Sequence, residues 1–193
     1  MAARLNSMER SETSLPGVLE LRPTIFRDRR GFFLESYHEA VFAALGIVDR
    51  FVQDNHSSSA RGTLRGLHYQ LRYPQAKLCC VVEGEALNVA VDIRVGSPSF
   101  GEWTSIVLSA REQNQIYIPA GFAHGFLALS DGVQFLYKCS DFYDSNDEFG
   151  ILWSDPDLNI SWGYVNPVIS EKDAKNPRLA QVPLELLPRY IAA

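Results

Sequence analysis

Two histidines lie in apolar, strand-like sequence and could take part in a reaction. His68 occurs in RGLHYQ and His124 in GFAHGFLAL, and each is close to a glycine. A single histidine in such a setting is usually a hydrogen-bonded core or loop residue. Strand glycines allow a ligand to approach closely or mark a bulge, so two such histidines together favour a shared pocket.

The segment RGLHYQ raises a geometric problem for that pocket. On a regular strand Arg65 and His68 would point to opposite faces, because side chains alternate along a strand. Both can face one pocket only if the strand is broken between them, and Gly66 is the candidate position for a bulge. We therefore expect Gly66 to bring the charge of Arg65 to the site of His68.

Three further polar residues occur where chemistry could use them. Taken singly, Lys77 resembles a lysine at a strand end, Tyr137 a core aromatic residue and Asp173 a turn or helix-start carboxylate. Taken with His68, they match the needs of proton abstraction beside a carbonyl, namely a base, a cation at the developing enolate oxygen and an acid. Asp173 could fix the tautomer of the histidine.

A metal site is the alternative for the two histidines. The segment PAGFAHGF resembles the second half-motif of metal-binding cupins, but the first half-motif does not match. His68 is followed by Tyr69, Gln70 and Leu71, where a metal cupin would place a second histidine and a carboxylate. One histidine from each strand leaves the usual ligand sets incomplete, so we expect no metal.

The elements that must position these residues are mostly short strands. In ALNVAVDIRV the apolar residues alternate, which predicts a half-buried antiparallel strand that follows a turn at Glu83-Gly84-Glu85. Similar runs bounded by turn signals predict a sandwich or barrel. The segment HEAVFAALGI predicts a helix that ends near Gly46, and PLELLPRY predicts a second short helix. We expect residues 1–17 to form a flexible extension and residues 18–193 a single domain.

Composition narrows the class of protein. The formal net charge is −5 and no run of lysine and arginine occurs, which argues against nucleic acid as a partner. No apolar stretch reaches the roughly 20 residues of a membrane span, and the N-terminal residues lack the apolar core of a signal peptide. The three cysteines include the adjacent pair Cys79 and Cys80, which does not suggest a disulfide framework. We therefore expect a soluble, cytoplasmic protein.

Several longer motifs resemble one known family. They are FRDRRGFFLESY, FVQDNHSSSARGTLRGLHYQ, QAKLCCVVEGEALNVAVDIRVGSPSFGEW, IPAGFAHGFLALS, YKCSDFY, GILWSDPDLNISW and ISEKDAKNP. In this order, from about Leu19 to Arg178, they resemble the dTDP-4-dehydrorhamnose 3,5-epimerases of rhamnose biosynthesis. The resemblance implies an all-β, cupin-type jelly roll (double-stranded β-helix) with a few short peripheral helices. It also implies a homodimer with exchanged strands that needs no metal or organic cofactor.

The same resemblance implies roles for individual residues. His68 would be the base, Asp173 its partner and Tyr137 the proton donor. Lys77 and His124 match positions near the sugar, Arg65 an arginine at the diphosphate, and Tyr143 a tyrosine that stacks on thymine. The remaining residues that match positions contacting the nucleotide sugar, some of them across the dimer interface, are Arg30, Glu35, Gln53, Asn55, Glu148 and Lys172.

Three other functions stay open at this point. The first is a related enzyme that epimerises only C3 or only C5, or moves the ketone, because regiospecificity depends on how the sugar sits. The second is a nucleotide-sugar-binding protein without turnover, which the presence of both His68 and Tyr137 disfavours. The third is a structural β-sandwich, in which the polar residues of the inner strands would be unexplained. One departure from the family pattern, Ala76 in place of a common glycine, touches none of the proton-transfer residues.

Overall fold

The computed structural model describes residues 8–191, and its regular structure is almost entirely β-strand. The strands of this part of the chain are β1 (Glu9–Glu12), β2 (Leu19–Arg22), β3 (Phe26–Asp28), β4 (Gly31–Phe33), β5 (Gln53–Ser59), β6 (Leu64–Gln70), β7 (Lys77–Glu83), β8 (Glu85–Asp92), β9 (Trp103–Ser109), β10 (Gln115–Ile118), β11 (Phe122–Ala128), β12 (Val133–Cys139) and β13 (Glu148–Gly150). One α-helix, α1 (Glu39–Ala44), and the 3-10 helices Asp173–Lys175, Leu179–Gln181 and Leu184–Leu186 complete the described residues.

Two antiparallel sheets form a cupin-type jelly roll, as the resemblance implies. The described strands form a six-stranded sheet in the order β1-β2-β10-β7-β12-β5 and a five-stranded sheet in the order β13-β6-β11-β8-β9. The core lies between them, where Phe126 of one sheet stacks on Phe135 of the other with ring centroids 4.1 Å apart. The site residues of both sheets therefore face a common interior.

The predicted turn between β7 and β8 is confirmed, and it joins the two sheets. Gly84 has a φ of +78°, and a Cβ there would clash with the hydroxyl oxygen of Ser130. β7 belongs to the six-stranded sheet and β8 to the five-stranded sheet. The turn is thus a corner of the jelly roll that needs a glycine.

Strand β8 is buried on both faces, so the prediction of a half-buried strand is wrong. Ala86 and Ala90 belong to the core between the sheets. On the other face, Val89 and Val91 pack in a second apolar cluster with residues of the C-terminal segment. That segment supplies Leu158, Trp162, Leu179, Val182 and Leu187. The face of Ala90, which was expected to meet water, therefore lies in the core between the sheets, and a distant chain segment covers the apolar face of Val89 and Val91.

The predicted helix is confirmed as α1. The helix ends at Ala44 with Leu45 as its C-cap residue, and Gly46 follows with a φ of +87°. Phe42 is buried in an apolar cluster with Leu21 and Leu78 on the outer face of the six-stranded sheet. The predicted C-terminal helix is only the 3-10 turn Leu184–Leu186, because a proline stands on either side of its short segment.

The folded part of the chain begins before residue 18, although we expected an extension up to residue 17. Residues 1–7 lie outside the described part. β1 pairs with β2 in antiparallel register, and Leu15 is buried in the core between the sheets. Within residues 8–191 no helix is long and apolar enough to cross a bilayer.

Candidate active site

A pocket of about 720 Å³ opens between the two sheets. Such a volume is typical of sites for small organic ligands. Its walls come from both sheets and from the segment 168–173. Eleven of the thirteen residues predicted for the site line it: Gln53, Asn55, Arg65, His68, Lys77, His124, Tyr137, Tyr143, Glu148, Lys172 and Asp173.

The predicted bulge at Gly66 is confirmed. His68 pairs with His124 and Arg65 pairs with Phe126, so three steps along β6 match two steps along β11. Gly66 has a φ of +119°, and a Cβ there would lie 2.6 Å from the Cα of Gly125. Only glycine fits this position, and the extra residue lets Arg65 and His68 line the same pocket.

His68 is held by a buried carboxylate. Its Nε2 lies 2.7 Å from Oδ1 of Asp173, whose other oxygen, Oδ2, accepts the Gly66 N–H at 3.2 Å. Burial raises the pKa of Asp173, but the hydrogen bonds from His68, Gly66 and Ser170 outweigh it and hold the pKa below its usual value. The carboxylate therefore accepts from Nε2–H, and Nδ1 is the ring nitrogen that can take up a proton.

Lys77 brings a buried positive charge into the pocket from the opposite sheet. It is 8% exposed, and burial is the largest cause that lowers its pKa. Among residues 8–191 its ammonium takes part in no hydrogen bond and no ion pair within 4 Å. A buried cation without a counter-ion is costly, and it suits a site that receives negative charge on an oxygen.

Tyr137 lies on the same sheet as Lys77 and the same face of it. Lys77 pairs with Cys139 in the β7–β12 register, two residues along β12 from Tyr137. Burial, assisted by Cys139, Cys79 and Glu148, raises the pKa of Tyr137 to about 12. The phenol is therefore protonated at neutral pH and can serve as an acid. It projects from the sheet that faces the one carrying His68.

A second group of side chains forms the outer end of the pocket. The hydroxyl of the half-exposed Tyr143 donates to Oε2 of Glu148 at 2.9 Å, and Lys172 forms an ion pair with the same carboxylate. The Tyr143 backbone N–H donates to Oε1 of Gln53. Oε1 of Glu148 lies 4.0 Å from Nδ1 of His68. This network links an exposed aromatic ring to the ring nitrogen that could act as the base.

Polar groups also line the pocket between these two ends. Arg65 donates from Nε to the hydroxyl of Ser59 at 3.1 Å, which fixes the direction of its guanidinium. Gln53 donates to Asn55 at 3.0 Å, and Asn55 in turn donates to the Cys139 sulfur at 3.6 Å. Planar guanidinium groups and amides of this kind suit the recognition of phosphate oxygens and of base edges.

The structure does not bring Arg30 or Glu35 into this pocket. Arg30 lies in the turn of the β3–β4 hairpin, where its exposed side chain pairs with Asp28. Glu35 lines a small separate cavity beside α1. The resemblance assigns both residues to the nucleotide sugar, and within this chain neither lines the pocket.

Three residues of the site were missed from the sequence. Asn88 is fully buried in β8 and its Oδ1 lies 3.1 Å from Nε2 of His124. Ser170 accepts the backbone N–H of Asp173 at 3.0 Å, and Gln70 holds the loop on both sides of Tyr143, by donating to the Phe142 carbonyl and accepting the Asp144 N–H. The alternation of β8 put Asn88 on the face expected to meet water, so nothing in the sequence pointed to it. Ser170 and Gln70 carried no signal beyond their place in the motifs.

No group of three or more metal-ligating side chains occurs in the part of the chain that the structure describes. The groups that do converge are an imidazole paired with a carboxylate, an ammonium without a counter-ion, and a protonated phenol. Together they can remove a proton beside a carbonyl, stabilise the resulting enolate and return a proton from the other side.

Comparisons with known proteins agree with this chemistry. A family model described as dTDP-4-dehydrorhamnose 3,5-epimerase matches residues 12–181. The dTDP-4-dehydrorhamnose 3,5-epimerase of Shigella flexneri is 53% identical over 164 residues, which make up 84% of this chain and 91% of that protein.

Solved structures show the same similarity. The dTDP-6-deoxy-D-glucose-3,5-epimerase of Legionella pneumophila, in complex with dTDP-4-keto-L-rhamnose, superposes with a TM-score of 0.94 at 47% identity, covering 96% of this chain and all of that one. A 3'-monoepimerase of Streptomyces bikiniensis, in complex with dTDP-quinovose, superposes with a TM-score of 0.85 at 36% identity, covering 92% of this chain and 91% of that one.

Proposed function

This chain belongs to the dTDP-4-dehydrorhamnose 3,5-epimerase family, and we propose that its pocket inverts C3 and C5 of dTDP-4-dehydro-6-deoxy-D-glucose with His68, Lys77 and Tyr137 as the groups that act on the sugar. The chain is therefore an isomerase, and the product is dTDP-4-dehydro-L-rhamnose. Both carbons flank the C4 ketone, so one base and one enolate-stabilising group can serve each inversion in turn.

The placement of the three groups supports this assignment. His68 projects from the five-stranded sheet, and Tyr137 and Lys77 project from the six-stranded sheet that faces it. A sugar ring between the sheets has a base on one side and an acid on the other. Nδ1 of His68 takes the proton from carbon, the C4 oxygen gains negative charge beside Lys77, and Tyr137 returns a proton to the opposite face. Asp173 stabilises the imidazolium that forms on His68.

The observation that carries the proposal is the buried ammonium of Lys77. Asp173 is hydrogen-bonded to His68. Glu148 forms an ion pair with Lys172 and accepts a hydrogen bond from Tyr143. Neither carboxylate forms an ion pair with Lys77, and the charge of Glu148 acts on it only from beyond 4 Å. An enolate oxygen formed in the pocket would supply the missing negative charge.

We propose that the nucleotide occupies the outer end of the same pocket. Tyr143 is exposed enough to stack on a thymine ring, and Arg65 can bind the diphosphate. Gln53, Asn55, Glu148 and Lys172 supply hydrogen-bonding and charged groups around it. His124 lies beside His68 at the sugar end.

Proton NMR of the substrate in deuterated buffer tests the proposed reaction. The signals of the protons on C3 and C5 are followed separately with the purified protein. Loss of both signals supports the 3,5-epimerase reaction. Loss of one signal would assign a single-site reaction, as the name of the S. bikiniensis relative describes. Loss of neither would leave a binding protein.

We further propose a homodimer in which the β3–β4 hairpin crosses to the other subunit. The hairpin exposes Phe26, Phe32 and Phe33, which are 47%, 54% and 67% exposed in the single chain. An exposed aromatic cluster of this kind marks an interaction surface. The hairpin also carries Arg30, which the resemblance assigns to the substrate although it does not line the pocket of its own chain.

Mixed dimers test this exchange. Arg30→Ala and His68→Asn are each expected to give weak or inactive homodimers. When the two variants are mixed, exchange places an intact His68 and the partner subunit's Arg30 in one pocket of each hybrid, so activity should return. If Arg30 acts within its own chain, the hybrid holds no complete site and the mixture should stay as weak as its components.

We propose a cytoplasmic location. Cys79, Cys80 and Cys139 are all free thiols within the described residues, which fits a reducing compartment. Cell fractionation with an antibody against the protein would test this location.

A further inference from the structure

Asn88 is a buried polar residue for which the proposed reaction gives no role. It has no exposed surface and lies in the middle of β8. Its neighbours on the same face, Ala86 and Ala90, belong to the core between the sheets. A buried amide in such surroundings is costly unless both of its polar atoms find partners.

The partners of Asn88 fix the direction of its amide. Nδ2 donates to the carbonyl oxygen of Ala86 at 3.4 Å, and Oδ1 lies 3.1 Å from Nε2 of His124. The opposite orientation would turn two oxygens toward each other at the Ala86 end. An amide oxygen can only accept a hydrogen bond, so Nε2 of His124 carries a proton and donates it.

The other ring nitrogen of His124 has no proton. Burial is the largest cause that lowers the pKa of His124 well below its usual value, and the charges of Lys77 and His68 lower it further. The ring is therefore neutral, with its one proton on Nε2. Nδ1 has no hydrogen-bond partner among residues 8–191, and the ring lines the pocket. His124 thus offers the ligand a hydrogen-bond acceptor.

We propose that Asn88 is a positioning residue that fixes His124 as an acceptor for a hydroxyl group of the bound sugar. This inference rests on the proposed function, since it names how that pocket recognises the sugar ring. An acceptor at His124 cannot donate a hydrogen bond to the C4 oxygen. Lys77 is therefore the group that stabilises the negative charge of the enolate. The pocket then favours sugars that carry a free hydroxyl on the side of His124.

Nitrogen NMR of histidine-labelled protein tests the tautomer directly. The chain has four histidines, and the signals of His124 are those that disappear in His124→Gln. We expect the wild type to show a protonated Nε2 and an unprotonated Nδ1 on His124. In Asn88→Leu, which has a similar volume but no acceptor, this preference should be lost. At alkaline pH, Asn88→Asp keeps an acceptor and should restore the Nε2–H form.

Kinetics and binding separate positioning from a purely structural role. Loss of one hydrogen bond to the sugar in Asn88→Leu should lower kcat/KM for the sugar nucleotide about tenfold. The Kd for dTDP, which lacks the 6-deoxyhexose of the substrate, should not change. If Asn88→Leu also bound dTDP more weakly and unfolded at a lower temperature, Asn88 would only support the fold.

The spectra also keep the two proposals distinguishable. They need no turnover, so a wild type that shows the Nε2–H form without epimerising any substrate would overturn the proposed function and leave the tautomer assignment supported. A wild type that epimerises C3 and C5 but carries the His124 proton on Nδ1 would overturn the role of Asn88 alone. An unchanged His124 spectrum in Asn88→Leu would do the same.

Discussion

Replacing Asp173 with asparagine tests which nitrogen of His68 acts as the base. The Asp173 residue is 3% exposed and its carboxylate accepts at both oxygens, from Nε2 of His68 at 2.7 Å and from the Gly66 N–H at 3.2 Å. An amide has only one oxygen to accept with. If that oxygen still accepts the Gly66 N–H, the amide NH₂ group faces Nε2 of His68. Nε2 must then accept a hydrogen bond from the NH₂ group, and the ring proton moves to Nδ1 in the pocket. The base is then lost.

The other orientation of the amide is also unfavourable. If its oxygen faces His68, the NH₂ group meets the Gly66 N–H, and two buried donors are left without acceptors at a cost of about 1–3 kcal/mol. The negative charge that stabilises the imidazolium is lost in either case. The same carboxylate-to-amide change in Ser-His-Asp sites lowers kcat by about 10⁴ through the wrong tautomer. We expect a loss of about 10³–10⁴, equivalent to about 4–5 kcal/mol of transition-state stabilisation.

The assay is exchange of the C3 and C5 protons of the substrate with deuterated solvent, together with calorimetric titration of dTDP. Asp155→Asn is the matched control, because Asp155 is also buried and accepts backbone N–H groups, from Asp157 and Leu179, outside the pocket. The control should change thermal stability and keep the exchange rate. An Asp173→Asn protein that binds dTDP and exchanges both protons within about tenfold of the wild type would refute the assignment of Asp173.

The remaining predictions concern the acid, the cation and metals. Tyr137→Phe removes the proton donor, so deuterium exchange should outlast net epimerisation, and an equal loss of both would argue against the acid role. Burial lowers the pKa of Lys77 but raises that of Tyr137 to about 12, so Lys77 loses its proton first as the pH rises. The alkaline fall of kcat should therefore follow Lys77 and move to higher pH in Lys77→Arg; a fall that does not move would contradict this assignment. Chelator treatment should leave the exchange rate unchanged, whereas a loss restored by added divalent metal would revive the metal hypothesis.

Features with a local cause could be predicted from the sequence. The conflict between Arg65 and His68 on one strand required a break at Gly66, and the structure has a bulge there. The turn at Gly84 and the helix α1 follow from local signals in the same way. Each depends on residues within a few positions, so no knowledge of the fold was needed.

Features that depend on distant segments could not be predicted in this way. Strand β8 reads as half-buried because the residues that cover the face of Ala90, such as Phe135 of the other sheet, lie far along the chain. The partner of Asn88 is equally distant, since His124 belongs to another strand. The alternation put Asn88 on the face expected to meet water, so neither its inner position nor the ring whose proton it fixes was visible in the sequence.

The distribution of charge explains why Lys77 can act on the substrate. Asp173 is engaged by His68, and Glu148 is engaged by Lys172, so each carboxylate of the pocket is bound to a group other than Lys77. A carboxylate beside Lys77 would stabilise the free protein. It would also neutralise the positive charge that the negative enolate oxygen needs. The unpaired ammonium therefore costs stability in the empty pocket and stabilises the state in which the C4 oxygen is negative. This difference between the two states is what accelerates a reaction.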